Sequence, residues 1–206
     1  MPFVGTGRNK TLSVANYSFE VITMDKCALE RARGCMTAAG LFFKSGAEDI
    51  SQAIELGLRT DAVPADIYES CTRRTTADKS VLAMTSLIIF FLVRDGVNVK
   101  KACMSAWKIA DKFKDPIIQA ISNALMAAEK PKVRGKLVAG FLSSKNLQDK
   151  LSLAIYLNLA NMEDSFYAHM QEISKQPDNE TRIMGAAFSG AVYGLKEVNA
   201  AGKPVI

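Results

Sequence analysis

Lysine and arginine side chains supply most of the chemistry that this sequence offers, and they are concentrated in its middle. Twelve basic and five acidic residues lie between Arg94 and Lys150, a local net charge of +7, whereas the rest of the chain has a net charge of −2. Clustered ammonium and guanidinium groups neutralise phosphate oxygens without reading a base sequence. The charge pattern therefore indicates a surface that binds RNA or another polyanion.

Helical spacing selects seven of these cations as candidate nucleic-acid contacts. Steps of seven and four residues place three lysines on one helix face, away from its apolar face. Four more basic residues follow through a turn and a helix start, where free backbone N–H groups also favour phosphate. The seven residues are Lys101, Lys108, Lys112, Lys130, Lys132, Arg134 and Lys136. We expect them to lie together on one solvent-facing strip.

Two aromatic residues stand close to these lysines in the sequence. Trp107 and Phe113 are near enough to offer stacking to nucleic-acid bases. The apolar period of the same helix includes Phe113, and we therefore assign this residue to the core.

Catalytic and metal-binding chemistry finds little support in the residue types. The single histidine, His169, has acidic neighbours on a predicted helix, and we interpret it as an ordinary surface or half-buried residue. The four cysteines are Cys27, Cys35, Cys71 and Cys103. Their scattered positions predict reduced, mostly buried thiols rather than a disulfide framework or a metal site. We therefore predict no catalytic residue, no metal and no cofactor.

The elements that must position these side chains follow a helical period from Asp25 onward. Helix starts are predicted near Ser45, Pro64, Thr76 or Asp78, Asn98, Asp115-Pro116, Asn146, Asp164 and Asn179 or Thr181. Short connections between these segments predict an all-α fold of about nine or ten helices. Residues 1–22 are richer in β-formers, which predicts an extended arm or a single strand. We expect residues 23–206 to form one helical domain, or two lobes that meet near residues 114–116.

Two further patterns concern burial and helix packing. The apolar run of residues 81–93 is shorter than the roughly 20 residues of a membrane span, so it predicts a central buried helix. With no secretory signal in view, we expect an intracellular protein, in the cytoplasm or in a virion.

Gly185, Gly190 and Gly194 fall in the last predicted helix, where small residues permit close approach of a second helix. That approach is either within the fold, which we favour, or between subunits.

The preferred functional hypothesis is a non-enzymatic, self-associating protein that binds RNA or another polyanion through its central basic segment. The N-terminal arm and the last helix would supply the contacts of a homo-oligomer. Small, basic, helical proteins of this kind are similar in composition to nucleocapsid, matrix and coat proteins of RNA viruses. One alternative is a helical adaptor that binds a protein partner through an apolar groove, without nucleic acid. The other, ranked last, is an enzyme that uses carboxylates in a helical pocket.

Overall fold

Ten helices make up the part of the chain that the computed structural model describes, which is residues 25–43, 47–59, 61–74, 79–162 and 164–201. They are α1 Lys26–Gly40, α2 Glu48–Gly57, α3 Pro64–Arg74, α4 Lys79–Asp95, α5 Val99–Lys112, α6 Ile118–Glu129, α7 Pro131–Ser143, α8 Leu147–Ala160, α9 Phe166–Ser174 and α10 Asn179–Ala200. No strand occurs in these ranges, so the all-α prediction is confirmed. The predicted N-terminal arm and the predicted helix starts at Ser45, Thr76 and Asp78 lie outside the described residues.

Side-chain caps fix several of the helix starts that the sequence predicts. The Asn98 side chain accepts a hydrogen bond at 2.9 Å from the backbone N–H three residues later, and Asn146 accepts one at 2.7 Å in the same way. These bonds satisfy N–H groups that have no partner inside a helix. The caps of α9 and α10 are Ser165 and Asp178, each next to a residue at which the sequence predicts a start. The local signals therefore give the order and bounds of the elements to within a few residues.

Helix α4 lies at the centre of the core, as its apolar run predicts. All thirteen residues from 81 to 93 are buried, and the helix packs against α2, α3, α5 and α10. Its two buried hydroxyls have acceptors, since Thr85 donates to its own helix and Ser86 donates to the carbonyl oxygen of Ala53 at 2.7 Å. Within the described chain, no helix has the length and apolar content that crossing a membrane requires.

Helices α1 and α10 pack with their backbones in contact at Gly34 and Gly190. A Cβ atom added at Gly34 would lie 2.7 Å from the Cα of Gly194, and one at Gly190 would lie 2.7 Å from the Cβ of Ala38. Gly194 itself has φ +74°, a left-handed conformation that glycine adopts without strain. The glycines of the last helix therefore serve close approach within the fold.

Helices α5, α6 and α7 contain most of the basic segment. Lys100 near the start of α5 forms an ion pair at 2.6 Å with Glu129 at the end of α6, so these helices run antiparallel. Lys130 alone connects α6 to α7, and Pro131 takes the first helical position, where its missing N–H costs nothing. Helix α6 packs against both α5 and α7. Helix α7 buries only Phe141, so most of its surface is open to solvent.

Candidate nucleic-acid interface

Three of the predicted contact residues form a row along α5. We call Lys101, Lys108 and Lys112 the α5 row; all three side chains are exposed. The opposite face is buried and consists of Val99, Ala102, Cys103, Ala106 and Ala110. The rise of an α-helix gives the row a length of about 16 Å. Because Lys100 points towards α6 and each residue turns the helix by about 100°, the α5 row lies on the solvent side of the helix.

A second row lies at and beyond the start of α7. We call Lys130, Lys132 and Lys136 the α7 row, and all three are exposed. Lys132 and Lys136 are four residues apart and therefore share one helix face. Helix α7 begins with Pro131, which has no N–H, and without a side-chain cap. The N–H groups of Val133 and Arg134 donate to the Lys130 carbonyl oxygen, so the Lys132 N–H is the first-turn donor that an anion could use.

Arg134 differs from the other six predicted contacts because its side chain is half-buried and hydrogen-bonded. Its Nε donates to the carbonyl oxygen of Ala127 at 3.0 Å, and a terminal guanidinium nitrogen donates to that of Ala128 at 2.9 Å. Both carbonyls belong to the last turn of α6, where no later N–H of the helix reaches them. Arg134 therefore fixes the junction of α6 and α7, and its contact with phosphate stays a prediction. The sequence signal for this role is an arginine three residues after Pro131, the proline that separates α6 from α7.

The structure divides the expected single strip into two rows. Helix α6 lies between α5 and α7 and so separates them. The ion pair of Lys100 and Glu129 joins the start of α5 to the end of α6. Lys101 and Lys130, the residues next to that pair in sequence, therefore lie at the same end of the two helices, and the rows are nearest there. Lys112 lies at the far end of α5. A bound polyanion would therefore have to follow α5 and also cross α6 to touch all six lysines.

The ammonium groups of both rows are unpaired among the described residues. None of the six lysines forms an ion pair there, whereas Lys100, Lys150 and Lys175 each contact a carboxylate. An unpaired surface ammonium keeps its whole charge for a ligand, because no neighbouring carboxylate has to be displaced first. The six ammonium groups attract anions over the range of the Debye length, although the exposed carboxylates of Asp111 and Glu129 also lie on this side of the molecule.

The two aromatic residues near the rows have different surroundings. Trp107 is half-buried and packs against the core. Phe113 is 42% exposed and stacks on the buried Tyr68, with ring centroids 4.8 Å apart and an interplanar angle of 18°. The assignment of Phe113 to the core is wrong, because α5 ends at the preceding residue and the turn places the ring on the surface of α3.

His169 is buried, so its interpretation as a surface or half-buried residue is wrong. Its Nδ1 lies 3.2 Å from the hydroxyl of Ser189, and its Nε2 contacts the carbonyl oxygen of Asn161. The Ser189 hydroxyl in turn donates to the side-chain oxygen of Asn158 at 2.8 Å. These bonds tie α8, α9 and α10 together and give His169 a structural role. Its position three residues after Phe166, on the apolar face of α9, is the signal that would have predicted burial.

The four cysteines form no disulfide with one another, and three of them are buried, as the sequence predicts. Burial raises the pKa of the Cys35 and Cys103 thiols to about 12, which leaves both protonated and unreactive near neutral pH. Cys27 is exposed near the start of α1. Across the described residues, no group of three or more metal-ligating side chains is close enough to hold an ion.

The two lysine rows are thus the most distinctive chemical feature on the described surface. Comparison with protein-family models, with curated proteins and with solved structures finds no match for the chain. The exposed ammonium groups and the helices that position them are therefore the features that bear on function.

Proposed function

We propose that the protein binds the phosphate backbone of RNA through the α5 row and the α7 row, without catalysing a reaction. The observation that supports this proposal is the set of six exposed lysines without an ion pair among the described residues. Each phosphate that an ammonium group neutralises releases condensed counterions, which favours binding at low salt. Contacts of this kind position a nucleic acid but do not select its sequence.

The two helices contribute to the interface in different ways. The Asn98 cap and the apolar inner face hold α5 rigidly, so the α5 row presents ammonium groups at a fixed spacing. Helix α7 adds the backbone N–H of Lys132 and the positive end of the helix dipole to the charge of Lys132 and Lys136. Arg134 keeps this helix start beside the end of α6. The interface therefore combines lysine charges at regular intervals along α5 with a backbone donor at the start of α7.

A protein-binding adaptor is the second candidate, because exposed apolar residues occur on the same helices. Met104 on α5 is 48% exposed, and Val133 and Leu142 on α7 are 38% and 49% exposed. These residues stand singly among lysines, and isolated apolar residues are common on protein surfaces. A partner protein would have to be acidic to cover them. The experiment below distinguishes the two candidates, since an adaptor of this kind has no affinity for RNA.

Self-association through the N-terminal arm and the last helix stays a prediction. The arm lies outside the described residues. In α10 the glycine face is occupied by α1, so a subunit contact on this helix would have to use outward residues such as Val192, which is 41% exposed.

Reversing the charge of each row tests the proposal. Fluorescence anisotropy with a labelled single-stranded RNA should show affinity that falls more than about a hundredfold between about 50 and 200 mM salt, as six phosphate contacts require. Replacing the α5 row by glutamate (K101E/K108E/K112E) should weaken binding more than about tenfold and flatten the salt dependence. The α7 variant K132E/K136E should do the same to a smaller extent. Arg134 stays unchanged in both variants because its loss would disturb the end of α6.

A double reversal elsewhere provides the matched control. Lys26 on α1 and Lys196 on α10 are exposed and lie outside both rows, so K26E/K196E changes the net charge without touching the interface. This control should lower affinity only slightly. Equal losses of RNA affinity in all variants would show that net charge alone controls binding. An absence of RNA binding in the unmodified protein would refute the proposal.

A further inference from the structure

Phe113 provides a flat aromatic surface at the end of the α5 row. One face of its ring rests on Tyr68, which is 2% exposed, while 42% of the Phe113 surface remains accessible to solvent. Large aromatic rings left open on a surface are costly to hydrate unless a ligand covers them. The ring directly follows Lys112, the last residue of the row.

Hydrogen bonds hold the supporting ring of Tyr68 in place. Its hydroxyl donates to one carboxylate oxygen of Asp115, which also accepts from Ser80 at 2.6 Å. The other carboxylate oxygen accepts from the backbone N–H of Ile117 at 2.9 Å. Three donors therefore fix Asp115 and spread its charge. Burial and the Asp115 carboxylate raise the pKa of Tyr68 well above its usual range, so the ring stays neutral. The stacked pair is a rigid platform before any ligand arrives.

Two exposed lysines next to the Phe113 platform could contact the phosphates of a ligand. Lys112 and Lys114 flank Phe113 in sequence, and both are exposed. Lys114 adopts φ +53° just after the end of α5. Glycine or asparagine usually occupies this left-handed position, so backbone preference does not explain the lysine. Two exposed carboxylates, Asp66 on α3 and Asp111 in the last turn of α5, are near the stacked pair in sequence, so the two lysines act beside acidic neighbours.

We infer that the Phe113 platform stacks a base of a single-stranded nucleic acid whose phosphates follow the α5 row. An unstacked base has a free π-face, and sequence-tolerant single-strand binding combines such stacking with a cationic groove. Bases inside a duplex have no free face to offer, so the platform selects single strands over duplexes. This inference rests on the proposed RNA-binding function and specifies the form of nucleic acid that the interface accepts.

Substitution of the ring without a change of charge tests the inference. The full chain is titrated into a labelled single-stranded oligouridine and into a duplex RNA of the same length. Phe113→Leu should weaken oligouridine binding by about tenfold, leave the salt dependence unchanged because no cation is lost, and leave duplex binding unaltered. Phe113→Trp should restore single-strand affinity. An oligothymidine titration shows whether RNA and DNA strands are both accepted.

An exposed aromatic residue on another helix gives the matched control. Tyr167 on α9 is 39% exposed, and Tyr167→Leu should leave all affinities unchanged. Salt-dependent RNA binding that survives Phe113→Leu undiminished would overturn the stacking inference while leaving the proposed function intact. Equal losses for single strand and duplex would also overturn it. If the unmodified protein did not bind RNA, the proposed function itself would be refuted.

A cross-linking measurement on the unmodified protein does not depend on whether the variant folds. Ultraviolet irradiation with an oligouridine that contains 5-iodouridine should attach the base to the peptide that includes Phe113. Mass spectrometry then identifies that peptide. Attachment only at other aromatic residues, such as Trp107, would overturn the inference.

Discussion

Helices α10 and α7 both contain glycines in their interiors, but the surroundings of those glycines are opposite. In α10, Gly190 lies so close to Gly34 of α1 that a Cβ atom would overlap backbone atoms of that helix. In α7, Gly135 and Gly140 have no atom within 4 Å of the place where a Cβ would stand. The same residue type therefore secures a tight contact in one helix and leaves an open surface in the other.

This difference indicates where the fold limits the sequence and where it leaves room for function. Helix α10 buries twelve residues and packs against α1, α4, α8 and α9, so few of its positions can change freely. Helix α7 buries one residue, and its lysines contribute to packing hardly at all. Substitutions in α10 should therefore alter stability, and substitutions of the α7 lysines should alter binding alone.

The largest effect is expected at the α1–α10 contact. Gly190→Ala would place a methyl group 2.7 Å from the Cβ of Ala38 and closer still to the carbonyl oxygen of Gly34. Backbone atoms cannot rotate away as a side chain can, so the two helices would have to separate. We expect a loss of about 3 kcal/mol or more in the free energy of unfolding, measured by urea denaturation.

Gly40 at the end of α1 is the control for this substitution. A Cβ at Gly40 would meet nothing within 4 Å, so Gly40→Ala should change the free energy of unfolding by less than about 1 kcal/mol. A loss below about 1 kcal/mol for Gly190→Ala would mean that α1 and α10 move apart easily, and the contrast with α7 would disappear.

A smaller loss is expected from the polar network that α10 shares with α8. Asn158 is buried, donates to the carbonyl oxygen of Gly185 at 3.1 Å and accepts from Ser189 at 2.8 Å. Asn158→Ala would remove these bonds and leave the buried Ser189 hydroxyl without its Asn158 acceptor. We expect a loss of about 2 kcal/mol, read from the shift of the thermal or urea midpoint.

An exposed hydrogen bond between a glutamine and an asparagine gives the comparison for that loss. Asn123 on α6 accepts a hydrogen bond at 2.9 Å from Gln119, at the surface. Water replaces such a bond, so Asn123→Ala should cost no more than about 0.5 kcal/mol. Equal losses for the two asparagines would show that the buried network contributes nothing beyond an ordinary surface bond.

The sequence predicts the helices well because their signals are local. Caps such as Asn98 and Asn146, the proline at the start of α7 and the apolar run of α4 each act within a few residues of their own position. The candidate lysines are also local features, since exposure follows from the helical period. For these reasons the order of elements and the lysine side of α5 follow from spacing alone.

The features that the sequence does not predict all concern which helix a side chain meets. Phe113 continues the apolar period of α5, but its partner, the buried Tyr68, is forty-five residues earlier and covers only one face of the Phe113 ring. The burial of His169 depends on α10, and the capping role of Arg134 depends on the sharp junction with α6. The division of the basic strip into two rows likewise depends on α6, which no spacing within α5 or α7 can indicate.

The smallest effect is expected at the glycines of α7, and its sign is opposite to that at Gly190. Glycine in a helix interior is about 0.5–1 kcal/mol less favourable than alanine, because its unfolded backbone has more freedom to lose. A Cβ at Gly140 meets open space, so Gly140→Ala should raise the free energy of unfolding by about this amount. RNA affinity should stay the same, since no charge changes. A loss of stability, or weaker RNA binding, would mean that something packs on the outer face of α7 in solution, and this helix would then be a contact surface instead of an open one.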